Sequence, residues 1–366
     1  MTAFRFWAAL VVVLYHLSRQ VGPIPGVQEL VWYGRTGVTF FFVLSGFVLA
    51  WTYDGAGISA AVILWRRFAR IWPLHAVTTV ISVVVYLAIG TAVPVSAVMA
   101  SLALVHAWFP SPVIFTGGNP AAWSISDEAW FYLIFPALLA VLAVQRSRAW
   151  LWTAVIVSTS GVLLWLASSQ IADGTMRTWF IDYLPLTRSP QFVLGVVAGL
   201  AVKRGWRPPI RLPAAVLVVI GWHVALFLWS TVAADTRWYG PYTASEVLSA
   251  PIFAAMICAA AHRDRADGPG SLGRPWMIRL GNWSYAWYLV HEIVIRAYVH
   301  VIGRPATGLA TARAWFLVIM TSLTVAGLCH RFIEQPAERR LRSMWRPKSA
   351  SGRSAAGHLD LRQTSP

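Results

Sequence analysis

The chain has 366 residues, 57% of them hydrophobic and only 12% charged, against roughly 25% charged in a soluble domain. That excludes a soluble globular protein, because too few polar residues remain to cover a core of this size, and apolar runs near the ~20 residues that cross a bilayer recur from end to end. The net charge of +16 does not indicate a nucleic-acid binder: Lys and Arg fall mostly between the apolar runs, and no zinc spacing, phosphate-binding loop or interleaved aromatic RNA motif is present.

In chain order, spanning helices are predicted at about 3–19, 36–53, 74–91, 128–145, 149–168, 187–202, 213–232, 246–262, 280–300 and 313–333. The run 96–109 is apolar but short, so it reads either as an eleventh span or as a re-entrant segment. Loop charge decides between them. With ten spans, the basic groups at 66–70, 146–148, 203–211 and 263–279 share one side with both termini. The opposite loops keep only scattered arginines. An eleventh span would turn the later basic loops outward. The positive-inside rule therefore favours ten spans with both termini in the cytoplasm. The expected fold is all-α, a polytopic transmembrane helical bundle over residues 1–346, in the inner (cytoplasmic) membrane. A Ser-, Arg- and Gly-rich disordered cytoplasmic tail is expected over 347–366. Cys258 and Cys329 lie inside apolar runs and read as small hydrophobes rather than as a disulfide. Many Trp and Tyr fall near helix ends, as interfacial belts do, so they are no evidence for a sugar platform.

Ionisable groups inside spans are costly, and each needs a reason. Arg5 and His16 share the first span, eleven residues or almost three turns apart, on one face and about 16 Å apart by helix rise. Two readings stand for them: a topology anchor with a satisfied histidine, or two parts of a site. Arg66, Arg67 and Arg70 precede Pro73 at an expected helix junction. They read as topology charge or as a phosphate site, since guanidinium pairs bidentately with phosphate. Ser124 to Glu128 resembles a helix start with acidic residues in its first turn. Glu128 nonetheless heads an apolar span beside Trp130 and Tyr132 and needs a cation or donors. His291 and Glu292 sit together about three turns into another span, with Tyr288 and Tyr285 preceding His291 near its face. Glu334 ends the last span before Pro336, with Arg331 as its expected partner.

Taken together, these blocks resemble the integral membrane acyltransferase-3 family of O-acyltransferases. The likeness runs over about residues 3–340. It rests on FRFWAALVVVLYH with its Arg5 and His16, GVTFFFVLSGF, WRRFARIWP, WSISDEAWFY, NWSYAWYLVHE and FIEQP, all in the family's order. There are departures. The Asp that often precedes the first arginine is missing from the residues before Arg5, and Thr39 stands where the family often has Asp. The esterase-like extracellular domain of some members is not expected.

The resemblance implies transfer of an acyl group, usually acetyl, from cytoplasmic acetyl-CoA (acyl-CoA) to a hydroxyl of a polysaccharide, glycolipid or similar acceptor. It implies His16 as base or transient nucleophile, since acyl transfer to an alcohol needs a base near neutral pKa. Glu128 and His291 join it as catalytic candidates, Arg5, Arg66, Arg67 and Arg70 hold CoA phosphates, and Tyr132, Tyr285 and Tyr288 line the substrate cavity. No metal is called for. The implied partners are the lipid bilayer, acyl-CoA and a glycan or glycolipid acceptor. A second reading is a transporter or flippase for a small metabolite or lipid-linked sugar, with the same charges as relay sites. The missing internal repeat speaks against it.

Overall fold

A computed structural model describes residues 1–143, 149–232, 241–266, 268, 270–305 and 308–345. Among them there is no strand. Ten long helices match the ten predicted segments one to one: α1 (Thr2–Gln20), α2 (Thr36–Tyr53), α3 (Ala60–Ala88), α4 (Trp123–Ala143), α5 (Ala149–Ser168), α6 (Pro185–Lys203), α7 (Leu212–Val232), α8 (Pro241–Ala266), α9 (Pro275–Val301) and α10 (Leu309–Cys329). A short helix α11 (Gln335–Met344) continues from α10 through a widened π turn, His330–Glu334. The expected tail at 347–366 lies outside the described residues.

Seven of these helical stretches are long and apolar enough to cross a membrane. The three long helices that fall short are α1, α6 and α9. Each carries charge within its length, at Arg5, at Arg188 and at Glu292 respectively. In hydrocarbon such groups must face the interior of a bundle, and Arg188 and Glu292 are indeed buried. The helices α5 and α7 behave oppositely. They are apolar all round, and only 11% and 17% of their most apolar stretches are buried, as expected of lipid-facing helices.

One expected boundary is corrected, and the doubtful 96–109 run falls as loop charge favoured. The third helix begins at Ala60, not at 74, so Pro73 and the three arginines lie inside it. Residues 60–72 hold three Ala and three Arg, good helix formers, and a proline is tolerated where neighbouring helices satisfy the freed backbone. The 96–109 run is not a spanning helix. It breaks into Val95–Leu102 and a turn at His106–Trp108, and eight residues rise only about 12 Å. Trp72 Nε1 and the His75 imidazole bond the Leu102 and Ser101 carbonyls at 3.0 and 2.9 Å, tying this segment to α3.

The tightest helix pair is α2 on α6. Gly195 and Gly199, four residues apart on α6, press against α2. A Cβ on Gly195 would stand 2.0 Å from the Val43 carbonyl oxygen, and one on Gly46 2.1 Å from that of Phe192. Small residues at this spacing let backbones meet where no hydrophobic effect drives association. Contacts at the helix ends agree with the predicted alternation of sides. The N-terminal ammonium pairs with Asp264 at 2.8 Å, and Lys203 donates to the Trp51 and Asp54 carbonyls. All five lie at the chain end, or at helix ends and loops, that loop charge places on one side.

Candidate active site

The sequence enters α4 through a locked turn. Asn119 accepts from the Ala121 N–H at 3.2 Å and donates to the Leu289 carbonyl at 2.7 Å. Gly118 before it holds φ +76°, and a Cβ there would press on Thr79 at 2.9 Å. This fixes the start of α4 against α9. Ser124 and Tyr288 then share a hydrogen bond of 2.8 Å between their hydroxyls.

Beside that bond lies a cavity of about 130 Å³, walled by α1, α2, α3, α4 and α9. It gathers most of the residues that sequence reasoning singled out: Arg5, Arg67, Arg70, Glu128, Tyr132, Tyr285 and Tyr288. Arg66 is not among them. It leaves the helix on another side of α3, because 66 and 67 are 100° apart. Each cavity group but one has a partner. Tyr132 donates to Glu128 at 2.5 Å. Arg67 donates to the Tyr53 hydroxyl at 3.2 Å. Tyr285 donates to the Ile71 carbonyl at 2.6 Å. Arg70 is held by Glu334, and by Glu338 at 3.1 Å. The exception is Arg5, which makes no ion pair or hydrogen bond with a described residue and so presents a free guanidinium.

Glu334 corrects an expectation. Its partners are Arg70 and His330 (3.0 Å), not Arg331. The π turn carrying it adds a residue to the helical turn, and such turns re-aim side chains at functional sites. Arg331 is exposed.

Tyr288 joins this cavity to the histidines. Its ring lies 5.9 Å from that of His291, which lies 5.1 Å from that of His16. His291 Nδ1 is 2.7 Å from the Tyr288 carbonyl oxygen. A carbonyl only accepts, so Nδ1 carries the hydrogen and a neutral ring leaves the Nε2 lone pair free. That Nε2 is buried with no partner. His16 is arranged the same way by a different group. Its Nδ1 lies 3.2 Å from Glu292 Oε2 and 3.3 Å from Gln20 Nε2; the carboxylate can only accept, so the hydrogen is assigned to Nδ1, which again leaves Nε2 as the free nitrogen. Gln20 donates to the same oxygen at 2.7 Å, and Arg296 grips Oε1 at 2.8 and 3.2 Å.

Glu292 is therefore the residue that sequence reasoning underweighted. Its signals were its place beside His291 and the arginine four residues on. Glu128, the carboxylate named among the catalytic candidates, bonds Tyr132 and neither histidine. The ligand atoms of His16, His291 and Glu292 all lie within 4.8 Å of one another, a spacing open to a transition metal. Both carboxylate oxygens already accept from Arg296, Gln20 and His16, so the trio reads as an acid–base group.

A second buried cluster lies beside the site. Glu246 is bonded by Arg188 (2.7 Å), Arg35 (2.8 Å) and the Thr39 hydroxyl (2.6 Å), and Arg35 also pairs with Asp182 (2.8 Å). Thr39 thus has a carboxylate beside it, supplied from α8. The charge within the predicted 246–262 span was the available signal.

Comparison with known proteins agrees with this arrangement. The family model described as acyltransferase domain, of the acyltransferase-3 type, matches residues 1–331. Acyltransferase MdmB of Streptomyces mycarofaciens is 31% identical over 93% of this chain and 92% of its own length. Exopolysaccharide production protein ExoZ of Rhizobium meliloti (strain 1021) is 26% identical over 88% of this chain and 95% of its own. A putative O-acetyltransferase of Staphylococcus aureus (strain COL), SACOL0978, is 25% identical; the match covers 94% of this chain but 58% of that protein. No solved structure matches. With the ordered motifs now converging on one cavity and the match running through all ten long helices, the chain belongs to the acyltransferase-3 family and is a multi-pass membrane O-acyltransferase.

Proposed function

We propose that this enzyme moves an acyl group, acetyl by default, from cytoplasmic acyl-CoA to a hydroxyl of a cell-surface polysaccharide, glycolipid or similar acceptor, at the inner membrane. The observation that carries this reading is the polarity of the site. A free guanidinium, Arg5, stands at one end, and two histidines whose Nδ1 atoms face oxygen acceptors stand at the other. Arg5, Arg67 and Arg70 suit the phosphates of CoA. The ~16 Å rise from Arg5 to His16 gives an extended thioester arm room to reach the histidines. Loop charge supports a cytoplasmic location for the arginine end.

In the proposed reaction, His16 Nε2 takes the proton of the acceptor hydroxyl while Glu292 steadies the resulting imidazolium. The hydroxyl oxygen bonds the thioester carbon, and the developing oxyanion faces the Tyr288 and Ser124 hydroxyls. The C–S bond then breaks, and His16 returns the proton to the thiolate sulfur. His291, whose free nitrogen accepts rather than donates, suits holding the acceptor hydroxyl or the proton. A transient acyl-His16 remains the covalent version of the same step. The exopolysaccharide production named for ExoZ supports a polysaccharide acceptor. MdmB, the more similar of the two, is named only as an acyltransferase.

The test incubates membranes carrying the chain with labelled acetyl-CoA, and compares glycan and lipid extracts from cells with and without the gene. An acetyl mass increment on one acceptor supports the reading. Uptake of label with no covalent product would overturn it in favour of transport.

A further inference from the structure

We propose that the junction of α3 and α11 binds an anionic phospholipid. The helical stretch from Leu309 to Met344 is 36 residues long, about 54 Å, whereas the hydrocarbon layer is ~30 Å thick. Its end therefore passes through a headgroup layer. There it packs on the first turns of α3, and Trp65 Nε1 donates to the Leu341 carbonyl at 2.7 Å. Between the two helices runs an open, apolar groove of about 390 Å³, bounded by Trp65, Phe68 and Trp345.

Three observations fit this groove to a lipid. First, Trp345, Trp65, Phe68 and Trp72 form a continuous ladder, with ring centroids 5.8, 5.7 and 5.3 Å apart. On α3 these aromatics occupy the face opposite Arg67 and Arg70, away from the cavity. Trp is the residue favoured at the membrane–water interface. Second, Trp345 is 47% exposed and nearby Met344 74%, so no described segment covers this edge. Third, α11, which leads into Trp345, is cationic. The guanidinium groups of Arg339 and Arg340 have no hydrogen bond or ion pair to a described residue, and Arg342 has only Glu338. An acyl chain suits the groove and a phosphate suits α11, since guanidinium binds phosphate bidentately.

The surface is also one carboxylate away from the catalytic cavity. Glu338 holds exposed Arg342 at 2.7 Å and cavity-lining Arg70 at 3.1 Å. A headgroup that draws on Arg342 changes the partner Arg70 shares.

The test uses the full chain in nanodiscs of phosphatidylcholine with phosphatidylglycerol, followed by native mass spectrometry of retained lipid. Selective retention of phosphatidylglycerol by the wild type is expected. In the Arg339→Gln/Arg340→Gln variant, that affinity should fall roughly 30-fold, from the loss of two interfacial charges. The charge-keeping Arg339→Lys/Arg340→Lys variant should retain most of it, which separates headgroup binding from loss of fold. Equal retention of the two lipids by the wild type, or undiminished selectivity in the Gln variant, overturns the proposal.

Discussion

Replacing Glu292 with Gln tests the arrangement that makes His16 a base. The carboxylate accepts from three donors: His16, Gln20 and Arg296. Glutamine offers a single carbonyl oxygen, so at most part of that set survives. Its NH₂ can also turn toward His16 Nδ1, which would move the ring hydrogen to Nε2 and block the lone pair that must accept a proton. A hydrogen bond to a charged group contributes about 1.5–3 kcal/mol. If that support is greatest when His16 becomes imidazolium, kcat should fall about 10- to 150-fold. The fold should tolerate the change, because the Arg296 side chain is 33% exposed and can turn toward polar surroundings. The assay is acyl transfer by detergent-purified enzyme at saturating acyl-CoA, with monodispersity and thermal unfolding as folding controls. A drop in kcat with an unchanged acyl-CoA KM is expected, and Glu292→Asp should fall between. Wild-type kcat in a folded Glu292→Gln enzyme would refute the dyad.

Three further outcomes follow from the same geometry. His16→Ala should lose at least about 100-fold in transfer, and imidazole added to His16→Gly should restore part of it if His16 acts as a base; no restoration, with an acyl adduct trapped on His16 in the wild type, would favour the covalent route. Arg5→Gln should raise the acyl-CoA KM about 10- to 150-fold, the range of one charge-assisted bond to phosphate, while kcat at saturation holds; an unchanged KM would remove Arg5 from the donor site. Glu246→Gln should cost about 3–5 kcal/mol by stranding Arg188 in the interior, read as a lower unfolding temperature, and Glu246→Met/Arg188→Met should be less damaging than Glu246→Gln.

Much of this was legible in the sequence because the bilayer restricts what a sequence can do. Ten apolar runs gave ten helices, since backbone groups in hydrocarbon must be satisfied within the segment. The site was legible in part, because Arg5, Glu128 and His291 were anomalies against an apolar background. What could not be read were contacts across the chain. Arg70 and Glu334 are 264 residues apart, and Gln20 and Glu292 are 272 apart. Local spacing instead suggested Arg331 for Glu334. The helix through Pro73 was missed because proline reads as a boundary in water, and neighbouring helices relax that rule in a bundle. Arg66 was grouped with Arg67 and Arg70 by proximity in sequence, yet one step of 100° sends it elsewhere.

The pattern of pairing then separates structural charge from functional charge. A charge buried in this bundle survives only with a partner, and most have one: Arg35 with Asp182, Arg188 with Glu246, Arg70 with Glu334, Arg296 with Glu292. Three of those pairs tie separate segments together and the fourth lies within α9; pairing accounts for their burial, and Arg70 and Glu292 also face the site. Four described titratable groups inside the long helices break the rule: the Arg5 guanidinium, His291 Nε2, His75 Nδ1 and the Asp127 carboxylate, the last three buried without a hydrogen bond at those atoms. Neither Asp127 nor His75 Nδ1 has a structural account here. The other two flank the cavity and the histidine pair, one able to bind an anion and one able to accept a proton. Leaving a buried group unsatisfied is costly, so a fold that pairs its other charges this thoroughly has a reason to leave these two open. A donor phosphate and an acceptor hydroxyl would satisfy them in turn, which is why the site, rather than the bundle that carries it, is where substitutions should change chemistry without changing stability.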